Sequence, residues 1–235
     1  MLKIENLHTS YGPVEALHGI DINIEDGAIV GVLGANGAGK TTLLKSIAGL
    51  LRVSKGHTVY AGKDITNLSA QRIVKLGISL VPQGRLLFTE MSVRENLEMG
   101  AYLLQDRTEF NKRLDDVHAM FPILKARAQQ MVALMSGGEQ QMLAVARALM
   151  TKPDLILLDE PSIGLAPKIF DQILDTIKDL NTVRQTTIVI AEQNVKKILK
   201  IVDHAYVLES GKVVIEGTSE QLSNNEAIRQ AYLGL

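Results

Sequence analysis

Gly34-Ala35-Asn36-Gly37-Ala38-Gly39-Lys40-Thr41 fits the pattern G-x-x-x-x-G-K-[ST], a loop that cradles phosphates. The flanks suit it. The apolar run Ala28-Ile29-Val30-Gly31-Val32-Leu33 before it reads as a buried strand, and Thr42-Leu43-Leu44-Lys45-Ser46-Ile47-Ala48 after it reads as a helix. Strand, glycine loop and helix start are the parts a polyphosphate site needs. Glycines let backbone N–H groups turn inward on an anion, and the free N–H groups of the helix start add partial positive charge. Residues 34 to 42, Thr42 included, form the expected cradle, with Lys40 aimed at the outer phosphates and Thr41 offering its hydroxyl to Mg²⁺.

A second motif lies downstream. Leu155-Ile156-Leu157-Leu158 is a continuous apolar run, the mark of a strand buried on both faces, and it ends in Asp159-Glu160. Ligands of open α/β sheets bind beyond the carboxyl ends of such strands. Both carboxylates are therefore expected where the glycine loop opens. Asp159 suits a Mg²⁺ shell of carboxylate, hydroxyl and water oxygens. Glu160 suits activation of an attacking water as general base.

Composition narrows the alternatives. With 235 residues the chain makes one large domain or two small ones, and 46% hydrophobic residues supply a sizeable core. Twenty-five basic against 26 acidic side chains give a net charge of −1, so no nucleic-acid partner is expected. Aromatic residues at 4% and the lack of Trp argue against a stacking platform for single strands. There is no Cys, hence no disulfide. No secretory signal is visible at the N-terminus, and no apolar run reaches the roughly 18 residues of a membrane helix, so a soluble protein is expected whose membrane role comes through a partner.

Along the chain, Lys3–Leu7 and Ile20–Glu25 alternate like half-buried strands, with a turn at Asp26-Gly27. Ile78-Ser79-Leu80-Val81 reads as a strand stopped by Pro82. From about Gly84 to Met150 helical periods replace the strand pattern, as in Phe110–Met120 and Glu139–Met150. Strand patterning returns at Leu155–Leu158 and Thr187–Ile190, with a helix from about Pro167 to Leu180 between them. Ala205–Val214 reads as a hairpin closed by Glu209-Ser210-Gly211, and a short helix ends the chain. This is an α/β core interrupted by a helical insert.

Ser136-Gly137-Gly138-Glu139 opens the strong helix 139–150. S-x-x-E is a capping box, and capping alone accounts for Ser136 and Glu139. The paired glycines add exposed N–H groups at a helix start.

Phosphate loop, SGG helix and DE strand, in this order, resemble the nucleotide-binding subunits of ABC transporters over essentially the whole chain. Met135-Ser136-Gly137-Gly138-Glu139-Gln140-Gln141 matches the family's signature motif with Met where Leu is usual. Tyr11 matches the aromatic that stacks on adenine, Gln83 the glutamine that contacts Mg²⁺ and senses membrane subunits, and Ser162-Ile163-Gly164-Leu165-Ala166 the segment crossing to a partner subunit. The family usually places a histidine against the γ-phosphate after the next strand. Gln193 holds that position here, able to donate a hydrogen bond but not to carry a charge near neutral pH.

The LivF type of branched-chain amino acid importer ATPase is the closer resemblance, through Glu95-Asn96-Leu97-Glu98-Met99-Gly100-Ala101-Tyr102, Pro161–Pro167 and Glu192-Gln193-Asn194. Gln83 departs from it, since those chains often carry Glu there.

The resemblance implies an α/β P-loop NTPase (RecA-like) core with an N-terminal antiparallel β subdomain and an inserted α-helical subdomain. It makes residues 1–235 one nucleotide-binding domain, with 1–83 and 151–235 as core and about 84–150 as the helical part. ATP and Mg²⁺ are the implied cofactors. Glu160 and Gln193 are the implied catalytic pair, and Thr41, Gln83 and Asp159 the metal set. Ser136, Gly137, Gly138 and Glu139 are implied to serve a partner's ATP. Implied partners are a sister ATPase (a heterodimer, or else a homodimer), two permeases and, indirectly, an extracytoplasmic binding protein. The implied place is the cytoplasmic face of the membrane, with the surface around Gln83–Tyr102 against the permease.

Rival classes are an ABC-type ATPase without a transport role, an importer ATPase for urea or amides, and a nucleotide-binding module that does not hydrolyse. Even charge counts against nucleic-acid machinery, and Glu160 against the last.

Overall fold

Alternation in the first residues becomes two long antiparallel strands, β1 (Leu2–Tyr11) and β2 (Val14–Ile24). Their inward side chains, among them Leu2, Ile4, Leu7, Leu17 and Ile20, are buried, as a sheet with one wet face requires. The apolar run before the glycine loop forms β3 (Ile29–Leu33), and the loop ends in α1 (Lys40–Ile47). β4 (Val53–Tyr60) and the short β5 (Lys63–Asp64) complete an antiparallel sheet in the order β2-β1-β4-β5. The computed structural model describes residues 2–228 and 230.

A short helix, α2 (Ala70–Lys75), leads into β6 (Ile78–Val81). The chain then turns helical through α3 (Val93–Gly100), α4 (Arg107–Met120), α5 (Pro122–Ala126) and α6 (Gly137–Leu149). It returns to the sheet with β7 (Leu155–Asp159), α7 (Pro167–Arg184), β8 (Thr187–Glu192) and α8 (Val195–Ile198). β9 (His204–Glu209), β10 (Lys212–Thr218), α9 (Ser219–Asn224) and α10 (Glu226–Ile228) follow. The β9–β10 turn holds Ser210 and Gly211 at φ 47° and 75°, the left-handed pair a two-residue hairpin loop needs.

The second sheet runs β10-β9-β3-β8-β7-β6, parallel except for β10. Its central strands bury both faces. Leu155, Leu157 and Val189 face a core shared with α1 and the antiparallel sheet, whereas Ile156, Leu158, Ile188 and Ile190 face a core shared with α3 to α7. Each such side chain taken fully out of water contributes about 1.5–3 kcal/mol. That is why these strands read as unbroken apolar runs. The α/β core, antiparallel sheet and helical insertion expected from the sequence are all present.

α7 runs to Arg184, four residues past the expected end. No Gly or Pro stops it, and it closes on Gln185 at φ 55° while the Asn181 amide donates to the carbonyls of Gly27 and Thr186. Register matters most for function. Leu33 pairs with Glu192, and Asp159 with Ala191, so β3, β7 and β8 end level with one another.

Candidate active site

The level strand ends put three loops side by side. After β3 the chain passes through Gly34, Gly37 and Gly39 at φ 153°, 82° and 107°. Gly34 has a steric reason as well, since a Cβ there would stand 2.4 Å from the Leu208 carbonyl oxygen. α1 starts with no side-chain cap and no acidic residue in its first turn, so its leading N–H groups stay available to an anion.

Lys40 is 3% exposed, and its ammonium donates to the carbonyls of Gly34 and Ala35 at 3.0 Å each. It also pairs with Glu160 Oε1 at 3.0 Å. Thr41 Oγ1 donates to Asp159 Oδ1 at 2.9 Å, across 118 residues of chain. Gln83 Nε2 donates to Glu160 Oε2 at 3.0 Å. Glu160 itself adopts φ 46°, the left-handed region, which re-aims its side chain as the strand ends.

Asp159 is buried, and burial together with the neighbouring Glu160 charge raises its pKa against the opposing Thr41 hydrogen bond. Its second oxygen, Oδ2, is buried without a hydrogen-bond partner. An orphaned carboxylate oxygen beside a threonine hydroxyl fits Mg²⁺, which takes a few protein oxygens and completes its shell with water and phosphate. Among the described residues no group of three or more His, Cys, Asp or Glu could hold a metal.

Lys40, Thr41, Gln83 and Glu160 line one cleft of about 540 Å³ together with Asn36, Gly37, Gly39 and Thr42, and with Val14, Glu15 and His18 from β2. Tyr11 stands 47% exposed at the tip of the β1–β2 hairpin, paired across it with Val14. An adjoining cleft of about 340 Å³ shares Asn36 and Glu160 and adds Ser162, Glu192 and Gln193. Ala35 and Ala38 line a third, on the β9–β10 side. A larger cavity, about 630 Å³, lies at the opposite ends of β7 and β8 among Tyr60, Asp154 and Arg184, and holds none of the expected site residues.

Ser136, Gly137, Gly138 and Glu139 line none of these clefts among the described residues. They form the start of α6, where Ser136 Oγ accepts from the Glu139 N–H at 3.4 Å and Glu139 Oε2 accepts from the Ser136 N–H at 2.9 Å. Arg127 pairs with the same glutamate at 3.1 Å. The capping box is thus formed.

Two residues near the site are given no role by the sequence motifs. Glu192 is 1% exposed at the end of β8, accepts from the Ser162 and Gln193 N–H groups at 2.8 and 3.1 Å, and has its pKa raised by burial. Its signal was present: a carboxylate closing an apolar run, as Asp159 does. Arg85 bridges two distant segments and had no such signal.

The ABC transporter family model matches residues 17–163. The high-affinity branched-chain amino acid transport ATP-binding protein BraG of Pseudomonas aeruginosa is 44% identical, with all of both chains covered. The probable branched-chain amino acid transport ATP-binding protein LivF of Archaeoglobus fulgidus is 39% identical over 100% of this chain and 99% of its own. Among solved structures, an ATP-binding cassette of an ABC transporter in its ADP conformation superimposes with a TM-score of 0.84 at 27% identity, covering 100% of this chain and 99% of that one. No helix of the described residues is long and apolar enough to cross a membrane. The chain belongs to the ABC transporter family, as one of its ATP-hydrolysing subunits.

Proposed function

We propose that this chain powers an importer of branched-chain amino acids by closing on ATP against a second ATPase subunit. The supporting observation is that Lys40, Thr41 and Glu160 line one cleft, with Asp159 hydrogen-bonded to Thr41 behind it, while Ser136 to Glu139 do not line that cleft. A phosphate cleft and a glycine-rich helix start that is not part of its lining suit two subunits that complete each other.

In this reading residues 1–235 act as one nucleotide-binding domain, and its 84–150 part carries the helix start that meets the partner. Tyr11 stacks on adenine and residues 34 to 42 hold the phosphates. Thr41, Asp159 and Gln83 hold Mg²⁺, which when bound neutralises phosphate charge. A charge pair at 4 Å is worth about 1 kcal/mol in water and about 4 at an effective dielectric near 20, so Lys40 counts most once the cleft is closed and dry. Glu160 takes the proton of the attacking water, and the Gln193 amide donates to the γ-phosphate. Ser136, Gly137, Gly138 and Glu139 do for the partner's ATP what the partner's helix does here.

The partner is a sister ATPase. Two permeases sit against the surface around Gln83–Tyr102, where Leu86, Phe88 and Tyr102 are exposed, and an extracytoplasmic protein delivers the solute. The chain works at the cytoplasmic face of the membrane without entering it. Capture of the tagged chain from native membranes tests this. Integral permeases and a second ATPase are expected, and recovery with RNA and no membrane protein would overturn it.

A further inference from the structure

Gly84, Arg85 and Leu86 carry successive φ values of 79°, 68° and 44°. Glycine adopts this region freely, whereas Arg85 and Leu86 do so at an energetic cost that surrounding contacts must offset. Arg147 Nη2 donates to the Arg85 carbonyl at 3.2 Å, and its guanidinium lies 5.6 Å over the Phe88 ring. The Arg85 side chain reaches the other end of α6, where Nη1 donates to Gln140 Oε1 at 3.1 Å. Its Nη2 reaches the Ile163 carbonyl at 3.4 Å. The guanidinium also covers Gly137, where an added Cβ would stand 3.2 Å from Nη2.

Gln140 carries the connection onward. Its Nε2 donates to the carbonyls of Val132 and Met135 at 3.1 and 3.3 Å, the stretch that sets the entry into Ser136. Two residues before Arg85, Gln83 holds Glu160 at 3.0 Å. The left-handed turn at Gly84 thus sends neighbouring side chains to two places, one to the phosphate cleft and one to the start of α6.

We infer that Arg85 is a positioning residue that makes the placement of Ser136-Gly137-Gly138 depend on the Gln83–Glu160 contact. A shift of Glu160 draws on Gln83, the strained turn moves as a unit, and Arg85 carries the movement to Gln140 and to Ile163-Gly164. The inference rests on reading the cleft as the ATP site.

Backbone hydrogen exchange on the full chain tests it, with and without a magnesium complex of a non-hydrolysable ATP analogue and with calorimetry alongside. In the parent, nucleotide is expected to change exchange across 134–141. Arg85→Met is expected to bind nucleotide within about twofold of the parent, since Arg85 lines no phosphate cleft. Its exchange response at 134–141 should fall roughly tenfold, the scale of one charge-assisted hydrogen bond. Arg85→Lys retains one donor and should respond in between. A merely structural arginine would lower the melting temperature and leave the response to nucleotide intact. An Arg85→Met response equal to the parent's, or a parent that binds with normal heat yet shows no response at 134–141, overturns the inference and leaves the ATP site standing. A parent with no binding heat overturns the ATP-site reading and the inference with it. Should Arg85→Met not fold, Arg85→Lys against the parent decides in the same way.

Discussion

Lys40 and Glu160 form a buried ion pair, Nζ to Oε1 at 3.0 Å, with the two side chains 3% and 8% exposed. The cation read as a phosphate ligand and the carboxylate read as the base hold each other. Gly34 O and Ala35 O take the ammonium's other contacts, so an arriving phosphate oxygen competes with partners already in place. On the proposed reading, binding ATP and freeing Glu160 are one event at the level of hydrogen bonds.

Lys40→Ala should therefore have two separable effects. ATP affinity falls about 10–100-fold, the worth of hydrogen bonds from a charged donor. Stability falls too, because breaking a buried pair strands the other charge at a cost of about 3–5 kcal/mol. Adding Glu160→Gln removes the stranded charge and should recover stability without recovering affinity. Equilibrium titration and denaturant melts of the single and double variants check both, and unchanged affinity in Lys40→Ala contradicts the cradle assignment.

Glu160→Gln by itself should keep or improve ATP binding. The amide no longer pairs as an ion with Lys40, yet its oxygen still accepts from Lys40 or Gln83. Turnover should drop about 10²–10⁴-fold, the usual contribution of a general base. Phosphate release at the parental rate would move the base to another residue.

The glycines of the phosphate loop differ in what they tolerate. An alanine at Gly34 meets the Leu208 carbonyl at 2.4 Å, whereas one at Gly37, at φ 82°, meets nothing within 4 Å. Gly34→Ala should cost about 2–3 kcal/mol through overpacking against fixed backbone, and Gly37→Ala only the roughly 1 kcal/mol of a left-handed L-residue. Urea unfolding of the two variants gives the ranking directly, and equal midpoints would remove the steric reason for Gly34.

Glu192 supplies the pH dependence. Its folded pKa is raised above the ordinary 4.5 by burial, so the folded chain holds that proton more tightly than the unfolded chain. Its contribution to stability is complete below that ordinary value and is lost as pH climbs through the raised one. Above that ordinary value the loss weighs on the fold, and Glu192→Gln should raise the melting temperature at neutral pH. The gain should vanish on acidification below the ordinary carboxylate range. A variant that melts lower at neutral pH would mean that the hydrogen bonds to Ser162 and Gln193 outweigh the desolvation.

What could be read from the chain alone follows from distance along it. Gly34–Thr41 and Asp159-Glu160 are local patterns whose chemistry is complete within a few residues, and the buried run Leu155–Leu158 places them on a strand. Strand order is not local. β3 lies between β8 and β9, and only that pairing brings Thr41 to Asp159. Arg85 was illegible for the same reason, because its partners Gln140 and Ile163 lie 55 and 78 residues away. Glu192 is legible, within Glu192-Gln193-Asn194 and at the end of an apolar run as Asp159 is, but its burial and its partners show only in the fold. The left-handed backbone at Gly84 could be anticipated from its residue type, whereas that of Arg85 and Leu86 depends on tertiary contacts.

Ser136 separates an intrachain role from one in a closed pair. Its hydroxyl caps α6, so any substitution there loses a cap worth about 1 kcal/mol, and Ser136→Ala measures that loss by itself. Ser136→Arg loses the same cap and adds a long cation at the face proposed to meet a partner. Since Ser136 lines no cleft with Lys40, both variants should bind ATP as single chains with near-parental affinity. Sedimentation with Mg-ATP and the sister ATPase should then show Ser136→Ala still associating and Ser136→Arg not. If Ser136→Arg loses binding as an isolated chain, the SGG start of α6 belongs to its own phosphate cleft. If it associates like the parent, that helix start is not the surface on which two subunits close.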